Sequence, residues 1–327
     1  MSARAKEKGH RRTAWRVTAA VCVCAATAAT AVAAKRFGDW GAPVNAQEGS
    51  HPDLNTEFND GCPILSPDGM SLFMATNRPG GLGGQDIWVA RRKNTRSGWG
   101  APVNLGAPVN SAADDFCPTP VRGKGLFFVS KRPSGDVNGD IYFTRLRGNG
   151  ATEPIRLGPN INSPMEEWSP SYFRDERGND VLYFSRNPAT VPASNAHDIY
   201  VSVNFGPAQL APGGLNSPAS EARPNVRSDG LEIVFDSNRM GQGAQGGQDV
   251  WTASRPSTSA PWPDPTPITI VNSPASETRA SLSWDGSFLL FGSNRPGSER
   301  AEGQTTPTAG DIYVATRPRV KGRNDAD

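Results

Sequence analysis

Trp40-Gly-Ala-Pro-Val-Asn45 and Trp99-Gly-Ala-Pro-Val-Asn104 are the same six residues written twice. The second copy closes the first full repeat of the chain. The first copy stands ahead of any repeat, and nothing like it follows the last one. A closed ring of β-blades produces this misplacement when the N-terminal strand completes the final blade.

The repeat itself is found by aligning the chain on an Asp followed by Ile or Val and an aromatic. It occurs at Asp86-Ile-Trp88, Asp140-Ile-Tyr142, Asp198-Ile-Tyr200, Asp249-Val-Trp251 and Asp311-Ile-Tyr313. The intervals are 54, 58, 51 and 62 residues, the span of a four-stranded blade with a generous loop. Other marks recur in fixed order. Asn55, Asn110, Asn162, Asn216 and Asn272 come first, and five residues later stands an acid: Asp60, Asp115, Glu167, Glu221 or Glu277. Three residues further come Pro63, Pro118, Pro170 and Pro224, with Ala280 in the last unit. Asp-Gly follows at Asp68, Asp229 and Asp285; unit two has Gly123-Lys-Gly125 instead, and unit three a longer loop from Asp175 to Asp180. An apolar run comes next, such as Leu72-Phe73-Met74, and then an arginine: Arg78, Arg132, Arg186, Arg239 or Arg295.

Short apolar segments bounded by turn residues read as strands, and Asp-Gly between two of them is a strong hairpin signal. With 29 Pro and 35 Gly spread evenly, no amphipathic helix of useful length is expected after residue 36. The fourth strands lie near residues 40–45, 99–105, 153–157, 207–210 and 267–270. The earliest precedes unit one, and unit five lacks its own. The pattern therefore predicts an all-β fold, a five-bladed β-propeller of four-stranded antiparallel blades closed by the N-terminal strand. Residues 35–317 would form this one domain and 318–327 a polar tail.

Residues 1–34 read as an export signal peptide, or else a signal anchor. A basic head precedes an uncharged Ala-rich stretch from Val17 to Ala34. This segment holds six Lys or Arg against one acid, which leaves 28 basic and 31 acidic residues in the body. A slightly acidic body excludes an electrostatic case for nucleic acid. Only an uncleaved leader would touch a membrane, so the expected location is periplasmic or extracellular. Cys62 and Cys117 occupy the same place in successive repeats, each before a proline. An exported chain permits a disulfide between them; two buried thiols is the other reading, and both stay open here.

The Asp68-Gly turn and the Asn-Arg-Pro-Gly-Gly…Asp-Ile-Trp-Val phrase of residues 77–89 resemble the WD40-like β-propeller repeat of TolB-type periplasmic proteins. The resemblance covers roughly residues 40 to 317, and units two and three depart most from it. It implies an exported scaffold or binding module and brings no catalytic residues with it.

The five acids have two readings. As a ring around the channel they could bind a polar ligand or a cation such as calcium. As partners of the five arginines they would pin each blade through Arg–carboxylate pairs, and residues repeated in every unit more often serve the repeat. By the same logic Asp86, Asp140, Asp198, Asp249 and Asp311 are turn or hydrogen-bonding groups. Function is better sought where the symmetry breaks: at Trp168, and secondarily at Trp284 and Phe116, whose rings can stack on a sugar or peptide side chain; packing between blades is the other reading of these rings, and the favoured one for Trp168 and more so for Trp284. Zinc-type clusters are absent from the sequence, His51 and His197 are the only histidines after the leader, and no Gly-x-Ser-x-Gly elbow occurs. The sequence therefore points to a monomeric, non-enzymatic binding module for a protein, peptide or glycan, with no catalytic residues and no cofactor. The alternative is a glycoside hydrolase, which needs only two carboxylates at a funnel. Its acids would lie outside the repeat pattern, and Glu166, Asp114 and Asp175 are the candidates.

Overall fold

The computed structural model describes residues 37–133, 138–148, 150–187, 197–299 and 310–320; the expected leader lies outside them. The described body contains five antiparallel sheets and a single 3-10 turn, Arg122–Lys124. Their inner strands are Asp60–Leu65 in blade I, Asp115–Val121 in blade II, Glu167–Arg174 in blade III, Glu221–Val226 in blade IV and Glu277–Leu282 in blade V. The second strands are Ser71–Thr76, Gly125–Ser130, Asp180–Arg186, Glu232–Ser237 and Phe288–Ser293, and the third strands Asp86–Arg91, Asp140–Arg147, Asp198–Val203, Asp249–Ser254 and Asp311–Thr316. This is the five-bladed propeller expected from the repeat.

The closure is also as expected. Val44–Asn45 is the outer strand of blade V, with Val44 opposite Val314 and Asn45 opposite Tyr313. Backbone bonds extend the seam from Ala46 N–H to the Ile312 carbonyl (2.9 Å) and from Gly41 N–H to the Thr316 carbonyl (2.8 Å). The seam runs past the expected boundary at 317, because Gly38 N–H reaches the Pro318 carbonyl and Phe37 bridges Arg319. The duplicated phrase does the same work in both copies. Trp40 lies 4.2 Å from the Arg317 guanidinium and Trp99 lies 4.3 Å from that of Arg92, each arginine just past a third strand. The outer strands are only two residues long, shorter than the sequence suggested. Pro43 and Pro102, just before two of them, have no N–H to extend a ladder.

Burial follows strand alternation, which sends successive side chains to opposite faces. In blade I, Leu72 and Met74 pack toward blade V against Leu290 and Ile312, whereas Phe73 packs toward blade II against Leu126 and Phe128. In blade IV, Ile233 and Phe235 meet Tyr183 of blade III, and Val234 meets Leu289 and Phe291 of blade V. The core is thus a set of apolar seams between blades.

The recurrent asparagines stitch these seams. Each reaches the third strand of the preceding blade and holds one residue by both backbone groups: the amide oxygen accepts its N–H and the Nδ2 donates to its carbonyl. Asn110 holds Ile87 in this way, Asn162 holds Ile141, Asn216 holds Ile199 and Asn272 holds Val250, at 2.7–3.1 Å. Asn55 holds Ile312, 257 residues away, and so carries the same stitch across the closure.

Candidate functional site

Each of the five repeated acids opens an inner strand, and none has an accessible side chain. The guanidinium groups of Arg78, Arg132, Arg186, Arg239 and Arg295 meet Asp60, Asp115, Glu167, Glu221 and Glu277 at 2.5, 2.9, 2.7, 2.9 and 3.0 Å. The same arginines also donate to carbonyls of the incoming loop, such as Leu54, Val109 and Val271. Burial pushes the Asp60 and Glu167 carboxyls above their usual range, against the pull of their arginines and hydroxyl donors. Closed off in this way, the five carboxylates present no ring of free ligands on the axis. Among the described residues no group of three or more His, Cys, Asp or Glu side chains is placed to hold a metal ion.

The acids that open the third strands sit in loop hydrogen-bond networks. Asp86 accepts from the Gly83 N–H and the Asn104 side chain, Asp140 takes Arg156 in a two-pronged pair, and Asp249 accepts from the Gln245 N–H. Burial, with Glu221 nearby, raises the Asp198 carboxyl. Asp311 is pushed up to about 6, first by burial and then by the charges of Asp60 and Glu299; the Glu299 N–H and Asn45 Nδ2 oppose this.

The residues on the axis are set by a feature that recurs once per blade. Two residues after each acid the inner strand bulges, and the backbone enters the left-handed region at Cys62, Cys117, Ser169, Arg223 and Arg279, with φ between 48° and 59°. None of these is glycine, and non-glycine residues reach that region only where surrounding structure holds them. A bulge re-aims a side chain. Here all five, with the Pro or Ala that follows each, line a constriction of about 30 Å³. The residue at this position is Cys in blades I and II, Ser in blade III and Arg in blades IV and V. Cys62 and Cys117 are joined by a disulfide with Cα atoms 4.9 Å apart, and the Ser169 hydroxyl lies 3.1 Å from the Cys117 sulfur. Arg223 pairs with Asp236, a fully buried carboxylate of the second strand of blade IV that also accepts the Arg279 N–H. The repeat alignment places these residues in register, but without the bulge their shared aim at the axis is not visible.

Next to the constriction opens a mouth pocket of about 220 Å³ lined by Asp114, Phe116, Lys131, Trp168, Arg223 and Arg279, among others. Asp114 accepts the Gln85 N–H at 2.9 Å, and Lys131 reaches Glu166 at 3.2 Å. Trp168 is walled in: His197 stacks on it at 4.5 Å between ring centres, Phe116 meets it edge-on at 6.2 Å, and the Arg223 guanidinium lies 5.6 Å from its ring. Asp114 and Trp168 are thus brought to one mouth, and Glu166 adjoins it through its ion pair with Lys131. Asp175 is not brought there, because it follows the far end of its inner strand. It borders a larger groove of about 820 Å³ lined by Phe127, Phe143, Tyr172, Phe205 and Trp284. Burial pushes the Asp175 and Asp180 carboxyls up. Hydrogen bonds from Asn179 and Arg177 to the first, and from Tyr172 and Arg174 to the second, outweigh it and leave both below the usual range. The groove offers aromatic surface and two firmly ionised acids, but no carboxyl poised to donate a proton.

No family model matches the chain, and no curated protein matches it. Solved structures do. A thermostable family-43 glycoside hydrolase superposes with TM-score 0.54 at 12% identity, over 84% of this chain and 94% of its own. An endo-arabinase from Bacteroides thetaiotaomicron gives 0.52 at 17% identity, over 80% and 95%. A putative TolB from Agrobacterium tumefaciens gives 0.46 at 16%, over 87% and 100%. At such identities the likeness is one of fold. It nevertheless corrects the expectation of a non-enzymatic binding module. Five solved structures that superpose above 0.5 are named as family-43 glycoside hydrolases, an endo-arabinase or α-L-arabinofuranosidases, which favours the enzyme alternative over the binding module.

Proposed function

We propose that the protein is a glycoside hydrolase working at the axial mouth. The observation that supports this most is Asp114, a carboxylate outside the arginine struts that lines the pocket, with Glu166 tied to the pocket-lining Lys131 at 3.2 Å as the second carboxylate of the proposal. Glycosidic cleavage needs a carboxyl that protonates the leaving oxygen and a carboxylate that activates water or attacks the sugar. Trp168, already stacked by His197 and flanked by Arg223, forms part of the pocket wall rather than an open ring face for the sugar. At about 220 Å³ the pocket is smaller than the ~300–1,000 Å³ that engulfs a drug-sized ligand. It therefore suits one terminal residue or a chain end, and the reading is of an exo-acting enzyme. The neighbours named for arabinan and arabinofuranoside cleavage make α-L-arabinofuranosides the first substrates to try.

A panel of aryl glycosides and polysaccharides tests the proposal. Hydrolysis by the wild type, lost by a factor of about 100 or more in Asp114→Asn and Glu166→Gln, is the expected outcome. Inactivity across the whole panel would sink it. Export to the cell envelope belongs to the same proposal, supported by the basic, then uncharged N-terminal stretch and by the repeat's resemblance to WD40-like TolB-type propellers. Among the described residues no helix is long and apolar enough to cross a membrane. N-terminal sequencing of the envelope fraction checks the leader.

A further inference from the structure

The charges around the mouth do not close into pairs. Arg223 is matched by Asp236 and Lys131 by Glu166. Arg279 has neither a carboxylate within 4 Å nor a side-chain hydrogen bond among the described residues, and its Nε is fully buried without a partner. Gly61 makes room for it, since a side chain there would run into Nη1. Burial, with Arg223 adding to it and Asp236 opposing it, lowers the guanidinium only to about 10, so it keeps its charge at neutral pH. A guanidinium whose Nε is buried without a partner is costly to maintain, because the group carries five N–H bonds in a fixed fork and accepts none. The left-handed bulge holds it at the edge of the cavity that takes the sugar. That fork matches a planar carboxylate through two parallel hydrogen bonds.

From this geometry we infer that Arg279 is a specificity-determining residue that binds the carboxylate of a uronic acid in the substrate glycan. The inference rests on the glycoside hydrolase reading for its sugar, but its own content is binding. A neutral glycan would leave the guanidinium unmatched, and a site built to bond a substrate group discriminates strongly against the analogue that lacks it. Arg223, already engaged by Asp236, lines the same cavity, as does the carboxylate of Asp114.

Calorimetric titration with trigalacturonic acid, its methyl ester and inorganic sulfate tests this on the full protein, with no need for turnover. The acid should bind at least tenfold more tightly than the ester, and its affinity should fall with added salt. Arg279→Gln should lose that tenfold preference, and Arg279→Lys, which keeps the charge but not the fork, should recover part of it. Equal binding of acid and ester overturns the proposal. So does sulfate binding as tightly as the trimer, which would mark a site for a free anion, and so does failure of the trimer to bind. If Arg279→Gln does not fold, the wild-type comparison of acid with ester decides alone. Uronate binding without hydrolysis upholds this inference while removing the enzyme; hydrolysis of neutral glycosides without a uronate preference does the reverse.

Discussion

A buried carboxylate is tolerated only while its partner is present. Asp60 has no accessible side chain, and Arg78 both balances it and ties the loop at Asp53 and Leu54. Arg78→Ala should therefore lower unfolding free energy by about 3–5 kcal/mol, measured by urea titration. Asp311 has no ion-pair partner among the described residues. Its folded-state value of about 6 lies above the ~3.9 of an unfolded chain. Between those values the folded form holds a proton that the unfolded form has released. Its contribution to stability is full below about pH 4 and lost as pH rises through 6. Melting temperature should accordingly rise when the protein is taken from pH 7 to pH 5, and Asp311→Asn should shrink that rise. Below about pH 4 the trend should reverse, because carboxyls held low, such as Asp68 and Asp285, then lose their hydrogen-bonded charge.

The elements show which parts of the chain could be read in advance. Strand order, blade count and closure were legible because apolar runs, Asp-Gly turns and a displaced hexapeptide are local or countable signals. The asparagines were legible as a recurrence but not as a function. Their work is to hold a strand of another blade, and nothing near Asn110 in sequence mentions Ile87. Arg223, Arg279 and Asp236 escaped for a related reason. A left-handed bulge turns the first two to the axis, and such a bulge at Cys, Ser or Arg has no compositional signature of the kind glycine gives. Asp114 and Glu166 stood out because they fall beside the repeating acids rather than on them; Asp175 did too, and only the length of its strand removes it to the other end. One element-scale test is Asn55→Ala. It leaves the buried N–H of Ile312 without its acceptor and removes one of two donors from its carbonyl, which keeps the Ala46 N–H, and should cost about 2 kcal/mol. Reduction of Cys62–Cys117 is another. The bond spans 55 residues and joins the inner strands of blades I and II, so its loss should remove about 4 kcal/mol on the chain-entropy account, read as a drop in melting temperature with dithiothreitol.

For the molecule as a whole, the seam between blades V and I decides whether five sheets form one body. Deleting residues 37–45 would leave the third strand of blade V, Asp311–Thr316, as an open edge. Melting temperature should fall, at about 1 kcal/mol for each lost backbone hydrogen bond, and exposed edges should drive self-association visible by size-exclusion chromatography. The seam also affects the order of synthesis. Blades I, II, III and IV draw all four strands from consecutive stretches of chain and can mature as they emerge, whereas Trp40 and Asn45 must wait for Tyr313 and Arg317. During that wait the earliest segment has nothing to pair with, and the unfinished arc is long enough to capture a like segment from another nascent molecule. Splicing the two neighbouring ends and opening the polypeptide between two other blades would abolish the delay while keeping every contact of the mature ring.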